Sequence, residues 1–323
     1  MHIFTVVLQS VLVLLGIGFI GLWITQRRIL PESVISVLST LVIDIALPAT
    51  VFASIVINFN PQSFPTWWQL PLWWAGFTAI AFGLTWLSRF IANRDIRPEW
   101  SVTMFFQNGL FFPLIILSGL FGEQTPLIAM LFILMMFHPT LFFSTYKLFF
   151  KQSKEDRMNW QRLINPVLVV TLLAVVLRLT NINENLPGFI VDIFHILGQM
   201  ALPLIMLILG ASLYLDFQQR GRFYWGEIGK FILVKNIVFP AVYIGLLILV
   251  KPNDTIALLL FLQAVVPPVT AAPILVERGG GRKNIATQFV FASFIAAMVT
   301  IPTMFLLFNH FFPGALQGIL PSL

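Results

Sequence analysis

What most constrains this chain is a succession of apolar stretches, each long enough to cross a bilayer, with only short gaps between them. A spanning helix needs about 20 consecutive apolar residues. Ten such stretches can be drawn, at roughly 3–25, 33–56, 67–91, 100–120, 124–149, 163–180, 187–213, 226–250, 254–276 and 284–311. Only 10% of the 323 residues are charged and 58% are hydrophobic, whereas a soluble domain carries about 25% charged residues. Charge this sparse cannot cover a water-soluble protein of this size. That excludes a soluble enzyme, a disordered chain and a nucleic-acid binder, and predicts an all-α polytopic membrane protein in contact with the lipid bilayer. The absence of cysteine removes disulfides, thiolate metal sites and cysteine nucleophiles. The first stretch, Ile3 to Thr25, is too long for a signal-peptide core, and Arg27 and Arg28 follow it, so it is read as a retained span.

The basic residues sort by side. Loops after odd-numbered spans hold 16 of the 19 Lys and Arg, among them Arg89, Arg94, Arg97, Lys151, Arg220 and Arg282. Loops after even-numbered spans hold only Arg178 and Lys251, and Lys235 lies inside the eighth span. Positive residues stay in the cytoplasm, so both termini are expected outside a plasma or bacterial inner membrane. This distribution also accounts for the net charge of +6 without a nucleic-acid partner. Trp67, Trp68, Trp73 and Trp74 cluster at an outer helix start, as an aromatic belt would.

The halves echo each other. Ala46-Leu47-Pro48 returns as Ala201-Leu202-Pro203, 155 residues on. Gln107 and Pro113 return as Gln263 and Pro268, at offsets of 156 and 155. Pro139-Thr140-Leu141-Phe142 returns as Pro302-Thr303-Met304-Phe305, at 163, the longer offset matching the Gly279-Gly280-Gly281 loop. The expected organisation is a repeat over 1–150, a polar linker over 151–162 and a second repeat over 163–323. Five spans per repeat put the second copy upside down, the architecture of many secondary transporters.

Spans four and nine carry the strongest signs of a break. The first reads Gln107-Asn108-Gly109 before Pro113, the second Gln263 before Pro267-Pro268. Proline removes a backbone donor and clashes one turn back, and unwound backbone at membrane depth must be buried or line a cavity. Helices restarting after the breaks would aim free amides and a positive dipole end at the midplane, a place for an anion such as a carboxylate. Gln107, Asn108, Gly109, Pro113, Gln263, Pro267 and Pro268 are therefore the candidate substrate-binding residues. Pro139, Pro240 and Pro302 are read as kinks only.

Ionisable residues at membrane depth default to function. Asp44 is read either as a proton carrier or as a structural partner of Lys235. Lys235 is read as holding an anionic substrate or replacing a coupling cation, against snorkelling to the inner surface. His138 is read as a packed histidine, with a proton-relay role open. Asp192 and His195, near an interface, receive no role, and Arg178 is an outer anchor.

At these residues the chain resembles the auxin efflux carrier family. Asn108-Gly109 before Pro113 resembles its helix-four motif. Val266-Pro267-Pro268-Val269, then Val276-Glu277-Arg278-Gly279-Gly280 and Asn284, is similar to its helix nine and following loop. Lys235 with Pro240, and Pro48-Ala49, are similar to its helices eight and two. The resemblance implies ten helices with helices four and nine crossing, a scaffold of helices 1, 2, 6 and 7, and a moving domain of helices 3–5 and 8–10. It also implies a small organic anion as substrate, auxin-like or malate-like, and a homodimer through the scaffold. Two departures stand out. Phe112 occupies a position where relatives keep a small residue, and Arg282 stands where they often carry an acid.

No HExxH, GxSxG or P-loop pattern is present, so no enzyme, metal or cofactor is expected. A sodium- or proton-coupled transporter of another substrate on the same fold is the runner-up, followed by a membrane sensor that binds without translocating. The former predicts acids at the breaks, and neither break has one.

Overall fold

The computed structural model describes residues 2–150, 165–218 and 223–319. The expected linker Lys151–Arg162 lies outside the described residues, as do Arg220 and Arg222 of the basic loops. Among the described residues the chain is helical throughout, with one isolated backbone bridge in place of any sheet. The helices are α1 His2–Gln26, α2 Glu32–Leu41, α3 Leu47–Asn58, α4 Leu70–Ser88, α5 Arg97–Phe105, α6 Phe111–Phe121, α7 Pro126–Leu134, α8 His138–Thr145, α9 Pro166–Leu179, α10 Gly188–Gln199, α11 Ala201–Gln218, α12 Trp225–Ile232, α13 Phe239–Val250, α14 Asp254–Val265, α15 Ala272–Arg278 and α16 Lys283–Phe311. Among the described residues six continuous helical stretches are long and apolar enough to cross a membrane: Ile3–Gln26, Glu32–Asn58, Trp67–Ser88, Gly188–Leu215, Trp225–Val250 and Lys283–Phe311. Four shorter apolar ones accompany them, Phe111–Phe121, Pro126–Leu141, Pro166–Leu179 and Asp254–Val265.

Proline explains most of the irregularities. Pro48 cannot donate to the carbonyl of Asp44, and Pro240 cannot donate to that of Asn236. At both places the helix widens into a π segment, Val42–Ala46 and Leu233–Val238. Leu47 reaches back to the Val42 carbonyl and Phe239 to that of Val234, each five residues away. These π segments, a frequent mark of functional sites, contain Asp44 and Lys235. Pro302 sits inside the continuous α16, as a kink allows. Pro139 does more than kink. The Met135 carbonyl, freed one turn back, takes the amide of His138 at 2.9 Å, and α7 and α8 separate around that turn.

Two sets of helices pack tightly. In one, α1 lies along α11, and α3 lies against α9 and α10. A Cβ on Gly21 would fall into the Leu207 carbonyl, and one on Gly210 into that of Gly18, so the backbones touch as small residues permit in membranes. Thr50 donates its hydroxyl to the Gly198 carbonyl at 2.8 Å, tying α3 to α10. In the other set, α16 packs on α5, α12 and α15, and α4 on α5, α7 and α14. Its core stacks Phe231 on Phe289 at 4.5 Å, with Trp100 edge-on to both. The sets meet where α1 touches α6 and α16 and where α3 touches α7.

The second set is also braced where its basic loops lie. Arg282 pairs with Glu99 at 3.4 Å and Asp95 at 3.2 Å. Burial alone would lower the guanidinium's pKa, but the Asp95 hydrogen bond and Glu99 outweigh it and hold it above the ordinary value. Arg282 therefore stays charged across the physiological range. Glu99 is only 3% exposed. Arg282→Gln strands that carboxylate, and the expected loss is about 1–3 kcal/mol, reduced from a fully buried pair because Arg282 is partly solvated. Thermal unfolding measures it, and a Glu99→Gln/Arg282→Gln double variant should recover part of the loss.

Candidate functional site

The backbone of span four unwinds between Phe105 and Phe111, and that of span nine between Val265 and Ala272. The two gaps lie against each other. Asn108 donates its amide to the Pro267 carbonyl at 2.9 Å, and Val269 donates to the Phe106 carbonyl at 2.8 Å. These bonds flank Gln107 and Pro268 as one antiparallel bridge. Neither proline at 267 or 268 has an amide to lose, so the pair offers carbonyls only. Each gap thus satisfies backbone groups that the other helix's break set free.

A third bond closes the junction. Gln263 donates Nε2 to the Gly109 carbonyl at 2.8 Å. A Cβ at residue 109 would fall on Gln263 Oε1 and crowd Met135, so glycine is required by close approach. Gly109→Ala should expel the Gln263 amide, leave two buried groups unpaired and cost about 2–4 kcal/mol. A drop in thermal midpoint with substrate flux lost in parallel checks it.

The polar groups here are buried and underused. Asn108 is 2% exposed with neither amide atom partnered, and Gln107 is 4% exposed with Nε2 unpartnered. Each such group costs about 1–3 kcal/mol when left unmade, a cost that a ligand's own polar groups can offset. Gln107 and Gln263 line a tight cavity with His138, Trp74, Phe77 and Phe106. Its free volume of about 10 Å³ admits roughly one water. Pro113 is buried in the first turn of α6. The first-turn amides of that helix, which starts where the gap ends, have no partner within the helix itself.

Several sequence expectations are corrected. Asp44 and Lys235 do not pair: Asp44 is exposed on the outer face of its π segment, and Lys235 is fully buried. Burial also rules out snorkelling, and the ammonium lies 4.5 Å over the Phe239 ring with no hydrogen-bond partner. Neither residue lines the cavity, whereas His138 does, edge-on to Trp74 at 6.0 Å. Trp74 is 6% exposed and is a cavity wall, not part of an aromatic belt. Phe112 packs on Phe294 at 5.0 Å, away from the cavity. Gln107 and Gln263 do not hold matching places. The helices before the gaps end at Phe105 and Val265, 160 residues apart, and those after begin at Phe111 and Ala272, 161 apart. Pro113 is the third residue of α6 and Pro273 the second of α15. Sequence reading missed the wall residues Trp74 and Phe77, because an aromatic in a lipid-facing stretch and one lining a cavity look alike.

A family model described as membrane transport protein matches residues 6–159 and 153–305 of the chain. No curated protein matches it.

Proposed function

The chain belongs to the auxin efflux carrier family of membrane transport proteins, and we propose that it is a secondary transporter of small organic anions. It is a multi-pass protein of the lipid bilayer. In the proposed architecture the six long and four shorter apolar helices make ten spans in two inverted repeats, and the interrupted spans cross at their gaps. The carboxylate of a mono- or dicarboxylate binds at that crossing. Asn108 and Gln107 donate to it, the first-turn amides of α6 add the helix-dipole end, and Gln263, Pro267 and Pro268 shape the gap.

The observation that carries this reading is Asn108, buried at the junction with both amide atoms unmatched. A neutral amide with free N–H groups suits an anion whose charge the helix end already favours. Acidic ligands for a cation are missing from both gaps. The movement proposed is an elevator-type shift of the set containing α4–α8 and α12–α16 against the glycine-locked set of α1–α3 and α9–α11. Lys235 offsets the substrate's charge during that shift. His138 lines the cavity as a proton relay. Asp44 is the proton carrier, reached from the scaffold face that a second copy would cover. Both termini lie outside the cell membrane.

Flux of malate, malonate, pyruvate and indole acetate into liposomes tests the reading. Saturable flux of at least one, insensitive to sodium, is expected. No flux and no binding across the set overturns it, sodium-dependent flux favours the coupled alternative, and saturable binding without flux identifies a sensor.

A further inference from the structure

The basic loop between α4 and α5 holds arginines that pair with no acid among the described residues. Its neighbours are matched: Arg282 takes Asp95 and Glu99, and Lys230 takes Glu227 at 2.6 Å. Arg89 and Arg97 pair with no carboxylate among the described residues, and the Nε of each is buried without a hydrogen-bond partner. Aromatic faces hold both. The Arg89 guanidinium stacks 3.3 Å from the Trp86 ring centre and lies 5.1 Å from that of Phe90, and Arg97 lies 5.2 Å from the same Phe90 ring. Stacking occupies the face of a guanidinium and leaves its N–H edge available. The surrounding side chains face outward: Trp86 is 48%, Leu87 67%, Phe90 56% and Ile91 50% exposed.

Two cations sharing one ring inside an exposed apolar collar, where a span leaves the bilayer, match one kind of molecule. We propose that Arg89 and Arg97 bind the phosphate of an anionic phospholipid, whose glycerol and upper acyl chain rest on Trp86, Leu87, Phe90 and Ile91. Arginine forks fit phosphate oxygens in pairs, and basic pockets at span ends recruit anionic headgroups. The collar distinguishes a lipid from free phosphate, which has nothing to place on it.

Purified protein in detergent is titrated with phosphatidylglycerol, phosphatidylcholine or inorganic phosphate while thermal unfolding is followed. Only phosphatidylglycerol should raise the midpoint in a saturable way. Arg89→Gln/Arg97→Gln should weaken its apparent affinity by roughly tenfold per arginine. Arg94→Gln, in the same loop but unstacked, should change it less than about twofold. Arg89→Lys/Arg97→Lys, which keeps the charge but not the fork, should fall between. If the glutamine variant unfolds, phosphatidylglycerol retained in native mass spectra of the wild type and the lysine variant decides. An equal shift with phosphatidylcholine or phosphate, or unchanged affinity or retention in the variants, overturns the proposal.

Discussion

Replacing Asn108 by alanine is expected to cut substrate flux about 10- to 100-fold, the worth of one or two hydrogen bonds to a charged group. The fold should not suffer. The Asn108 backbone amide, which bonds Pro267 at 2.9 Å, survives the substitution. The side chain makes no bond to lose, and removing two unmatched polar atoms from a buried place is neutral or stabilising. The signature is therefore a thermal midpoint equal to or above the wild type with flux lost. Asn108→Asp sharpens the test, since a carboxylate at the junction repels an anion. Full activity in either variant removes the junction as the binding place, while parallel loss of flux and midpoint assigns Asn108 a structural role.

Gly210→Val should do the most damage to the fold. A Cβ at this position meets the Gly18 carbonyl and lies 2.9 Å from the Leu22 amide nitrogen. Backbone cannot rotate away as a side-chain tip can, so α1 and α11 must separate along their length. Overpacking costs about 1–3 kcal/mol even where side chains yield, and here at least about 3 kcal/mol is expected. Loss of monodisperse protein on size exclusion, or a midpoint lowered by many degrees, would show it. Gly16→Val on the facing helix α1 is the control, because nothing lies within 4 Å of its Cβ, and it should behave as wild type. A stable Gly210→Val protein would mean that the α1–α11 contact does not hold this set together.

Much of the fold was legible because it follows from local rules. Each apolar stretch returned a helix, and proline marked the irregularities at residues 48, 113, 139, 240 and 267–268. The form of each irregularity was not legible. Pro48 and Pro240 widen a helix into a π segment, Pro139 splits one, and Pro302 lies within an unbroken one. The same lost bond can be absorbed by a shifted carbonyl, a turn or a bend, and neighbouring helices select among them. Span nine carries prolines at 267, 268 and 273, of which the first two fall in the gap and the third in the first turn of α15.

Reading along the chain was enough to establish the class of protein, the positions of its helices and the places where proline disrupts their backbone bonds. Hydropathy and the chemistry of proline act over one or two turns, and one chain in order is enough to read them. Long-range packing makes the two gaps mend each other, and it commits the Gln263 amide to Gly109 while Asn108 keeps both amide atoms free. It also turns Asp44 outward, encloses Lys235, and leaves Arg89 and Arg97 without an acid among the described residues. Burial and partnership depend on residues more than a hundred positions apart, brought together by packing that no local pattern encodes.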